Sequence, residues 1–154
     1  MLITDLDESE SLAFMARARV ARLACARDGQ PYVVPISCVC HDGYVYCAST
    51  EGKKIDWMRA NPLVCLEMDE IHSPQDWTSL VVEGRFEEIP NDPEWEGERK
   101  LAWSIIQQRP IWWEPAYVQT IVERTEKELH PLFFRIRIVR ISGRRGVQTA
   151  SARK

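Results

Sequence analysis

The stretch VARLACARDGQPYVVPISCVC, residues 20–40, carries two apolar runs on either side of Asp28-Gly29. Asp-Gly is a preferred pair in two-residue hairpin turns, because both positions adopt a positive φ. The stretch therefore predicts two antiparallel strands. A second signal of the same kind follows at once, where His41-Asp42-Gly43 leads into YVYCAS, residues 44–49. Antiparallel hairpins, rather than crossovers through helices, organise this part of the chain.

Three later runs also have strand composition: LVCLEMDEI (Leu63–Ile71), WTSLVVEGRFEEI (Trp77–Ile89) and LFFRIRIVRIS (Leu132–Ser142). In the last run, arginine and apolar residues alternate with period two until Ile138-Val139, where a bulge would restore the facing. About six short strands with few helices between them predict a mainly β fold. The expected form is a small antiparallel β-barrel with peripheral helices, which leaves few sheet edges exposed.

Helices are predicted at several places between and around the strands. Apolar residues recur at helical spacing in Glu8–Ala18 and in Glu94–Arg109. A short helix is expected after Thr50, and Tyr117–Arg124 favours a helix as well. HSPQD (His72–Asp76) predicts a linker between two strands.

Length and charge limit the class of protein. The chain has 154 residues, a formal net charge of −3 and 45% hydrophobic residues, which is typical of one globular domain. This balance gives no reason to expect a nucleic-acid partner. The start, MLITDLDESES, is acidic and runs into no long apolar segment, so neither a signal peptide nor a membrane span is expected. We predict a cytoplasmic protein with a single domain over residues 1–145 and a basic, flexible tail over residues 146–154.

The five cysteines do not form a metal motif. Cys38 and Cys40 are separated by one residue, which is not the C-x-x-C spacing of redox and zinc sites. No second cluster of cysteine and histidine at ligand spacing accompanies them. We therefore predict no metal site, and buried, reduced thiols as in cytosolic proteins.

The stretch CASTEGKKIDWMRANP, residues 47–62, raises the main functional question. Ser49 and Thr50 look like N-cap residues of a short helix, which puts Lys53 and Lys54 in its first turn. Cations are mildly unfavourable there, because a helix start already carries partial positive charge. A bound phosphate would reverse this, since it accepts hydrogen bonds from helix N–H groups and lysines. The alternative is a solvated helix start with Glu51 offsetting the lysines, and this stretch alone leaves both open.

Four stretches together carry a family resemblance: RLACARDGQPYVVPIS (Arg22–Ser37), YVYCASTEGKKIDWMRANPLVCLEMDE (Tyr44–Glu70), WTSLVVEGRFEEI (Trp77–Ile89) and FRIRIVRISGRR (Phe134–Arg145). Their order and spacing resemble the pyridoxamine 5'-phosphate oxidase-like family of FMN-binding split barrels. The short members related to nitroimidazole-resistance reductases are the most similar. The resemblance implies a six-stranded antiparallel split β-barrel that forms a homodimer, with FMN in clefts at the subunit interface.

The resemblance also implies which residues bind the cofactor. One group matches the strand along the isoalloxazine ring, a second matches the phosphate turn with its basic pair, and a third matches a polar pair that reaches the flavin or its phosphate. In chain order these groups are Pro35, Ile36 and Ser37; Ser49, Thr50, Lys53 and Lys54; and Thr78 and Ser79.

Two adjacent tryptophans in IWWEP, residues 111–115, form the other unusual stretch. One interpretation is that Trp112 and Trp113 plug a barrel end or the subunit seam. The other is that one of them covers a flavin face, because a large rigid aromatic side chain suits stacking on a planar ring system. A comparable segment lies near the flavin in similar short family members, and Trp113 is the cofactor-binding candidate.

The resemblance implies an FMN-dependent oxidoreductase acting on a small molecule, with NAD(P)H as the expected donor. Cys47 stands where the similar nitroimidazole reductases carry a histidine, and the C-terminal Arg and His pattern of pyridoxamine phosphate oxidases is not recognisable. Neither of those substrates is therefore the first expectation, and no residue is singled out as catalytic. The alternatives are a haem-binding barrel using His72 or His130, a deazaflavin-binding barrel, and a non-enzymatic FMN-binding protein.

Overall fold

The computed structural model describes residues 1–108 and 132–148. Within them lie eight strands, three α-helices and one 3₁₀ turn at Pro93–Trp95. The strands are β1 (Leu2–Asp5), β2 (Val20–Arg27), β3 (Gln30–Ser37), β4 (Val39–His41), β5 (Tyr44–Ser49), β6 (Leu63–Ser73), β7 (Asp76–Ile89) and β8 (Leu132–Val147). The helices are α1 (Glu8–Arg17), α2 (Lys53–Ala60) and α3 (Glu96–Gln107).

All the strands belong to one antiparallel sheet in the order β3-β2-β6-β7-β8-β5-β4, with β1 added to β8. The two outermost strands, β3 and β4, are separated in the chain by Cys38 alone. A sheet whose edges are joined by one residue must curl until the edges approach each other, which produces a barrel with a seam at Cys38. The mainly β, antiparallel barrel class is confirmed. The sheet has more strands than expected, because β1 was not predicted and the return strand of the first hairpin divides at Cys38.

Both hairpin turns predicted from Asp-Gly pairs are confirmed. Asp28 and Gly29 have φ values of 51° and 78°, and Asp42 and Gly43 have 48° and 79°. Positive φ at both central positions is the type I′ geometry, whose twist matches that of the flanking strands. The linker predicted over His72–Asp76 is wrong. β6 continues to Ser73 and β7 begins at Asp76, with the Gln75 N–H donating to Ser73 Oγ at 3.2 Å in the tight turn between them.

The bulge expected at Ile138-Val139 is confirmed. Glu83 pairs with Arg140 while the next residue, Gly84, pairs with Ile138, so Val139 is the extra residue on β8. A Cβ atom at Gly84 would overlap with Ile136 Cγ2 and lie 2.9 Å from the Arg137 carbonyl oxygen. Glycine is therefore required here by the close approach of β8.

The barrel interior is filled by the inward-facing residues of the strands. Its fully buried strand residues come from β2, β5, β6, β7 and β8, and include Leu23, Leu66, Leu80, Val82 and Ile136. Each such side chain contributes about 1.5–3 kcal/mol of burial free energy. A second cluster, with Tyr46, Ile89 and Phe133, lies beneath α3. The side chains alternate in and out along each strand, so the same sheet also presents a continuous outer face.

The N-terminal residues are more structured than the sequence indicated. Asp7 and Glu10 form a capping box at the start of α1. β1 pairs with the end of β8, from Leu2 opposite Val147 to Asp5 opposite Arg144. This pairing carries β8 two residues past the boundary drawn at residue 145, and residues 149–154 lie outside the described part of the chain.

Within the described ranges, no helix combines the length and apolar character needed to cross a membrane. The predicted helix Tyr117–Arg124 lies outside the described residues, as do Trp112, Trp113 and His130.

Candidate functional site

Helix α2 begins at Lys53 without a capping side chain. Its N-cap residue is Gly52, and no side chain accepts a hydrogen bond from the first turn. The expectation that Ser49 and Thr50 cap this helix is wrong, because β5 runs to Ser49 and three further residues are needed to turn the chain into α2. The Ser49 hydroxyl instead donates to the Thr50 carbonyl oxygen at 3.0 Å. The first N–H groups of α2, which no helical carbonyl can serve, therefore receive no side-chain cap.

Lys53 is exposed, and its ammonium group rests on two aromatic rings. Its Nζ lies 4.4 Å from the ring centre of Tyr32 on β3 and 4.6 Å from that of Trp57 on α2. Both distances are within cation–π range. Among the described residues, no carboxylate forms an ion pair with Lys53. Its side chain is therefore held in place while its charge stays uncompensated.

Lys54 is half-buried beside the thiols of Cys25 and Cys47. Burial lowers the pKa of Lys54 from its ordinary value, because the charged form loses hydration. Cys47 is fully buried, and the same effect raises the pKa of its thiol well above the usual range. That thiol is therefore neutral near pH 7 and supplies no counter-charge. No described carboxylate lies within ion-pair distance of Lys54.

The alternative of a solvated helix start required Glu51 to offset the charge of the two lysines, and Glu51 does not do so. Its carboxylate is bound at both oxygens by Arg59, at 2.8 Å each, at the far end of α2. Arg59 also holds Glu88, near the end of β7, at 2.8 and 2.7 Å. This cluster ties the turn before α2, the end of α2 and β7 together. The Glu51 carboxylate is therefore bound to Arg59 rather than to Lys53 or Lys54.

Pro35, Ile36 and Ser37 lie on β3, an edge strand of the sheet. Proline suits an edge strand because it has no N–H to donate to a neighbour. Tyr32, which contacts Lys53, is three residues earlier on β3, roughly 10 Å along a strand. β3 therefore lies beside the start of α2 at Tyr32, and three residues separate the end of β5 from the start of α2 in the chain.

Thr78 and Ser79 are not brought to the lysines within one chain. They pair with Glu70 and Asp69 of β6 on one side and with β8 on the other. Helix α2 contacts β7 at Glu88 through Arg59, nine residues from Ser79 and roughly 30 Å along the strand. Ser79 instead lines a groove of about 640 Å³ with Trp77 and Arg144.

Tyr32 and Trp57 are not among the site residues predicted from the sequence. Trp57 follows Lys53 by four residues, so helical spacing alone would have placed the two on one face. Tyr32 meets them only through the packing of α2 against the first hairpin. His72, a candidate haem ligand, is exposed on β6, and its Nε2 lies 3.9 Å from a Glu70 oxygen.

Comparison with known proteins identifies the family. The sequence pattern of the pyridoxamine 5'-phosphate oxidase family matches residues 7–145. The chain belongs to that family.

Three similar proteins illustrate the relationship. An uncharacterized protein of Rhizobium meliloti (strain 1021) is 38% identical over 144 residues, covering 94% of this chain and 95% of its own. The crystal structure of a FAD-binding protein from Mesorhizobium loti is 38% identical, with a TM-score of 0.74 over 95% of this chain and 99% of that one. A candidate 5-nitroimidazole antibiotic resistance protein from Bacteroides thetaiotaomicron shares the fold, at 17% identity and a TM-score of 0.64, covering 94% of this chain and 89% of that one.

Proposed function

We propose that this protein is a cytoplasmic, homodimeric flavoprotein oxidoreductase that binds FMN and acts on a small molecule with NAD(P)H as donor. The observation that carries the proposal is the start of α2. Two lysines lie there at an uncapped helix N-terminus, and neither has a carboxylate partner among the described residues. The barrel that carries them belongs to the pyridoxamine 5'-phosphate oxidase family. Such an arrangement is stable at low cost only when an anion supplies the missing negative charge.

The residues present fit a flavin phosphate. The Lys53 and Lys54 ammonium groups and the first N–H groups of α2 are donors at one end of the helix. The hydroxyl groups of Ser49 and Thr50 lie in the turn before it, and that of Ser49 would exchange its bond to the Thr50 carbonyl oxygen for one to the phosphate. A phosphate monoester offers acceptor oxygens and a double negative charge at neutral pH, and bonds to charged donors are roughly twice as strong as neutral ones. Pro35–Ser37, on the adjoining edge strand, would flank the ring system with backbone and small side chains.

When bound, FMN supplies the hydride-transfer chemistry between a nicotinamide and a small acceptor. The described residues then act by binding and orientation. The lysines fix one end of the cofactor, and β3 fixes the other end against a rigid barrel. The Mesorhizobium loti protein is described as FAD-binding. Because FAD contains the same phosphate in a longer chain, the choice between the two flavins belongs in the first experiment.

Two features of the chain support the homodimer proposal: the exposed apolar residues on the outer face of the sheet, and the distance of Thr78 and Ser79 from the lysines. Val33, Leu63, Ile71 and Val139 are 60–70% exposed on that face. Leu63 and Val139 line an apolar groove of about 540 Å³ with residues of β2 and β7. Exposed apolar area of this kind marks contact surfaces. A second copy packed there would cover this groove, and the proposal is that each copy also supplies its Thr78 and Ser79 to the lysines of the other.

The direct test is an absorption spectrum of the purified protein, followed by titration of the apoprotein with FMN, FAD and riboflavin. We expect an oxidised-flavin spectrum, FMN bound more tightly than riboflavin, and bleaching by NADH or NADPH under anaerobic conditions. Lys53→Met with Lys54→Met removes two charge-assisted contacts and should weaken FMN binding by about 10²- to 10⁴-fold, since each is worth about 1.5–3 kcal/mol. Riboflavin, which has no phosphate, is the matched control and should be little affected. A Soret band, or failure to bind any flavin, would reject the proposal.

Mixed dimers test whether the site is shared between subunits. One variant carries Lys53→Met and Lys54→Met, and the other carries Thr78→Val and Ser79→Ala. If each site takes its lysines from one subunit and its hydroxyls from the partner, a mixed dimer has one intact site and regains FMN binding at half the sites. If each site takes its lysines and its hydroxyls from the same subunit, the mixed dimer has no intact site and does not regain FMN binding. Size-exclusion chromatography with light scattering gives the subunit number of each sample.

A further inference from the structure

We infer that Tyr32 and Trp57 are positioning residues for Lys53, holding its ammonium group ready for the flavin phosphate without neutralising it. This inference rests on the proposed function. The two rings belong to different elements, β3 and α2, and their centres are 5.6 Å apart with planes at 58°. Lys53 Nζ lies 4.4 Å from one ring centre and 4.6 Å from the other. The ammonium group therefore lies in the angle between two ring faces.

The aromatic pair is itself held firmly. Tyr32 and Trp57 are half-buried and pack against the barrel core. Asn61, the C-cap residue of α2, donates from Nδ2 to the Ala26 carbonyl oxygen of β2 at 3.0 Å. Helix α2 is thereby fixed to the hairpin that carries Tyr32. The rings form a rigid support, while the lysine that rests on them is exposed and has a long, flexible side chain.

A ring face and a carboxylate differ in what they leave to a ligand. A carboxylate would fix Lys53 but cancel its charge and occupy its donors, and the phosphate would have to displace it. The ring faces attract the cation through their quadrupole and carry no net charge, so its positive field and outward N–H donors remain for an anion. The nearby carboxylates are directed elsewhere, since Glu51 is bound by Arg59 and Asp56 lies 3.9 Å from the same arginine. Restricting the lysine in advance lowers the entropy lost on binding.

The experiment is a double-mutant cycle read with two ligands. Trp57→Leu and Tyr32→Leu remove the ring faces, while Trp57→Phe and Tyr32→Phe keep a ring and serve as matched controls. We expect the leucine variants to bind FMN about three- to tenfold more weakly, and the phenylalanine variants to stay within about twofold of wild type. Riboflavin affinity should not change, and using both ligands on one sample corrects for any loss of folded protein. In a Lys53→Met background, the leucine substitutions should have no further effect on FMN binding.

The possible outcomes separate the two proposals. Suppose that the wild type binds FMN. If the leucine substitutions weaken FMN binding by the same factor in the Lys53→Met background, or weaken riboflavin binding as much as FMN binding, the rings act only through packing and the inference is overturned. The proposed function then stands. If the wild type binds no flavin at all, the proposed function fails and the inference fails with it.

Discussion

The positive charges of β8 and those of α2 are treated in opposite ways by this fold. Five arginines of β8 each contact a carboxylate: Arg135, Arg137, Arg140, Arg144 and Arg145. The partners come from β1, α1, α3 and β7, so the ion pairs link β8 to its surroundings. The two lysines of α2 have no such partner among the described residues. Their place at a helix start makes both charges mildly unfavourable, and burial adds to the cost at Lys54 alone.

This difference distinguishes structural from functional charge. Arg135 shows the structural case: it is bound by Glu87 at 2.9 Å and Glu98 at 3.0 Å, and it lies over the Tyr44 ring. Its charge is balanced inside the protein and is not available to a ligand. The lysines remain available, and the protein bears a stability cost for that. Such trade-offs between stability and function are common at binding sites.

The largest effect on stability is expected from Arg135→Met. Its side chain is 13% exposed, and its loss leaves Glu87 and Glu98 partly buried without their common partner. We expect a loss of about 2–3 kcal/mol in the free energy of unfolding, with Tm lower by about 4–12 °C. The ratio of FMN to riboflavin affinity should stay the same. Arg137→Met, at a 49% exposed position, is the control with the smaller effect. A change in that ratio would show that the β8 arginines also serve the ligand.

Lys54→Met should have the opposite pair of effects: it should weaken FMN binding without lowering the stability of the apoprotein. We expect FMN affinity to fall by about 10- to 100-fold, because one charge-assisted contact is lost. The Tm of the apoprotein should stay the same or rise, since a half-buried, unpaired ammonium group has been removed. Differential scanning fluorimetry without flavin gives Tm, and fluorescence titration gives the affinity. A drop in apoprotein Tm would mean that Lys54 is a structural charge like Arg135.

The lowered pKa of Lys54 predicts a pH dependence of binding. Its ammonium group loses the proton at a pH below that of an ordinary lysine, and the attraction for phosphate is lost with it. FMN affinity relative to riboflavin should therefore fall several-fold toward alkaline pH, beginning below the ordinary lysine pKa of about 10.4. The folded apoprotein should gain stability over the same interval, because the neutral amine is favoured by burial. Lys54→Arg keeps its charge, and its alkaline profile should be flatter. Identical profiles for the two proteins would contradict the assignment.

The smallest effect is expected at the end of β8. Asp5→Asn with Glu10→Gln removes the carboxylates that contact Arg144 and Arg145 at 3.4 and 2.8 Å. These pairs are solvent-exposed, so we expect Tm to change by no more than about 4 °C. The two freed arginines do not lie at an uncapped helix start. We therefore expect the number of FMN molecules bound per chain to stay the same. A new phosphate-dependent site in this variant would show that freeing a cation is sufficient, and the comparison with α2 would lose its force.

Local chemistry determined the hairpins, the bulge and the region of the site. Asp28-Gly29 and Asp42-Gly43 specify hairpin turns because aspartate and glycine adopt the positive φ values that these turns need. The break in alternation at Ile138-Val139 marks the extra residue of β8. Each of these depends on neighbours in sequence, so the pattern is visible without the fold. The placement of two lysines at a helix start, where cations are unfavourable, is also a local signal, and it indicated that α2 is part of the site.

Tertiary structure decided the partners of the charges. In the sequence Glu51 lies two residues before Lys53, yet its carboxylate is bound by Arg59, and Tyr32 reaches the lysine from another strand. The end of the sheet also depends on distant pairing, since β1 converts part of the expected tail into strand. Side-chain contacts between elements depend on how the barrel closes and where α2 packs against it. No local pattern encodes these, because they arise from burying a common core.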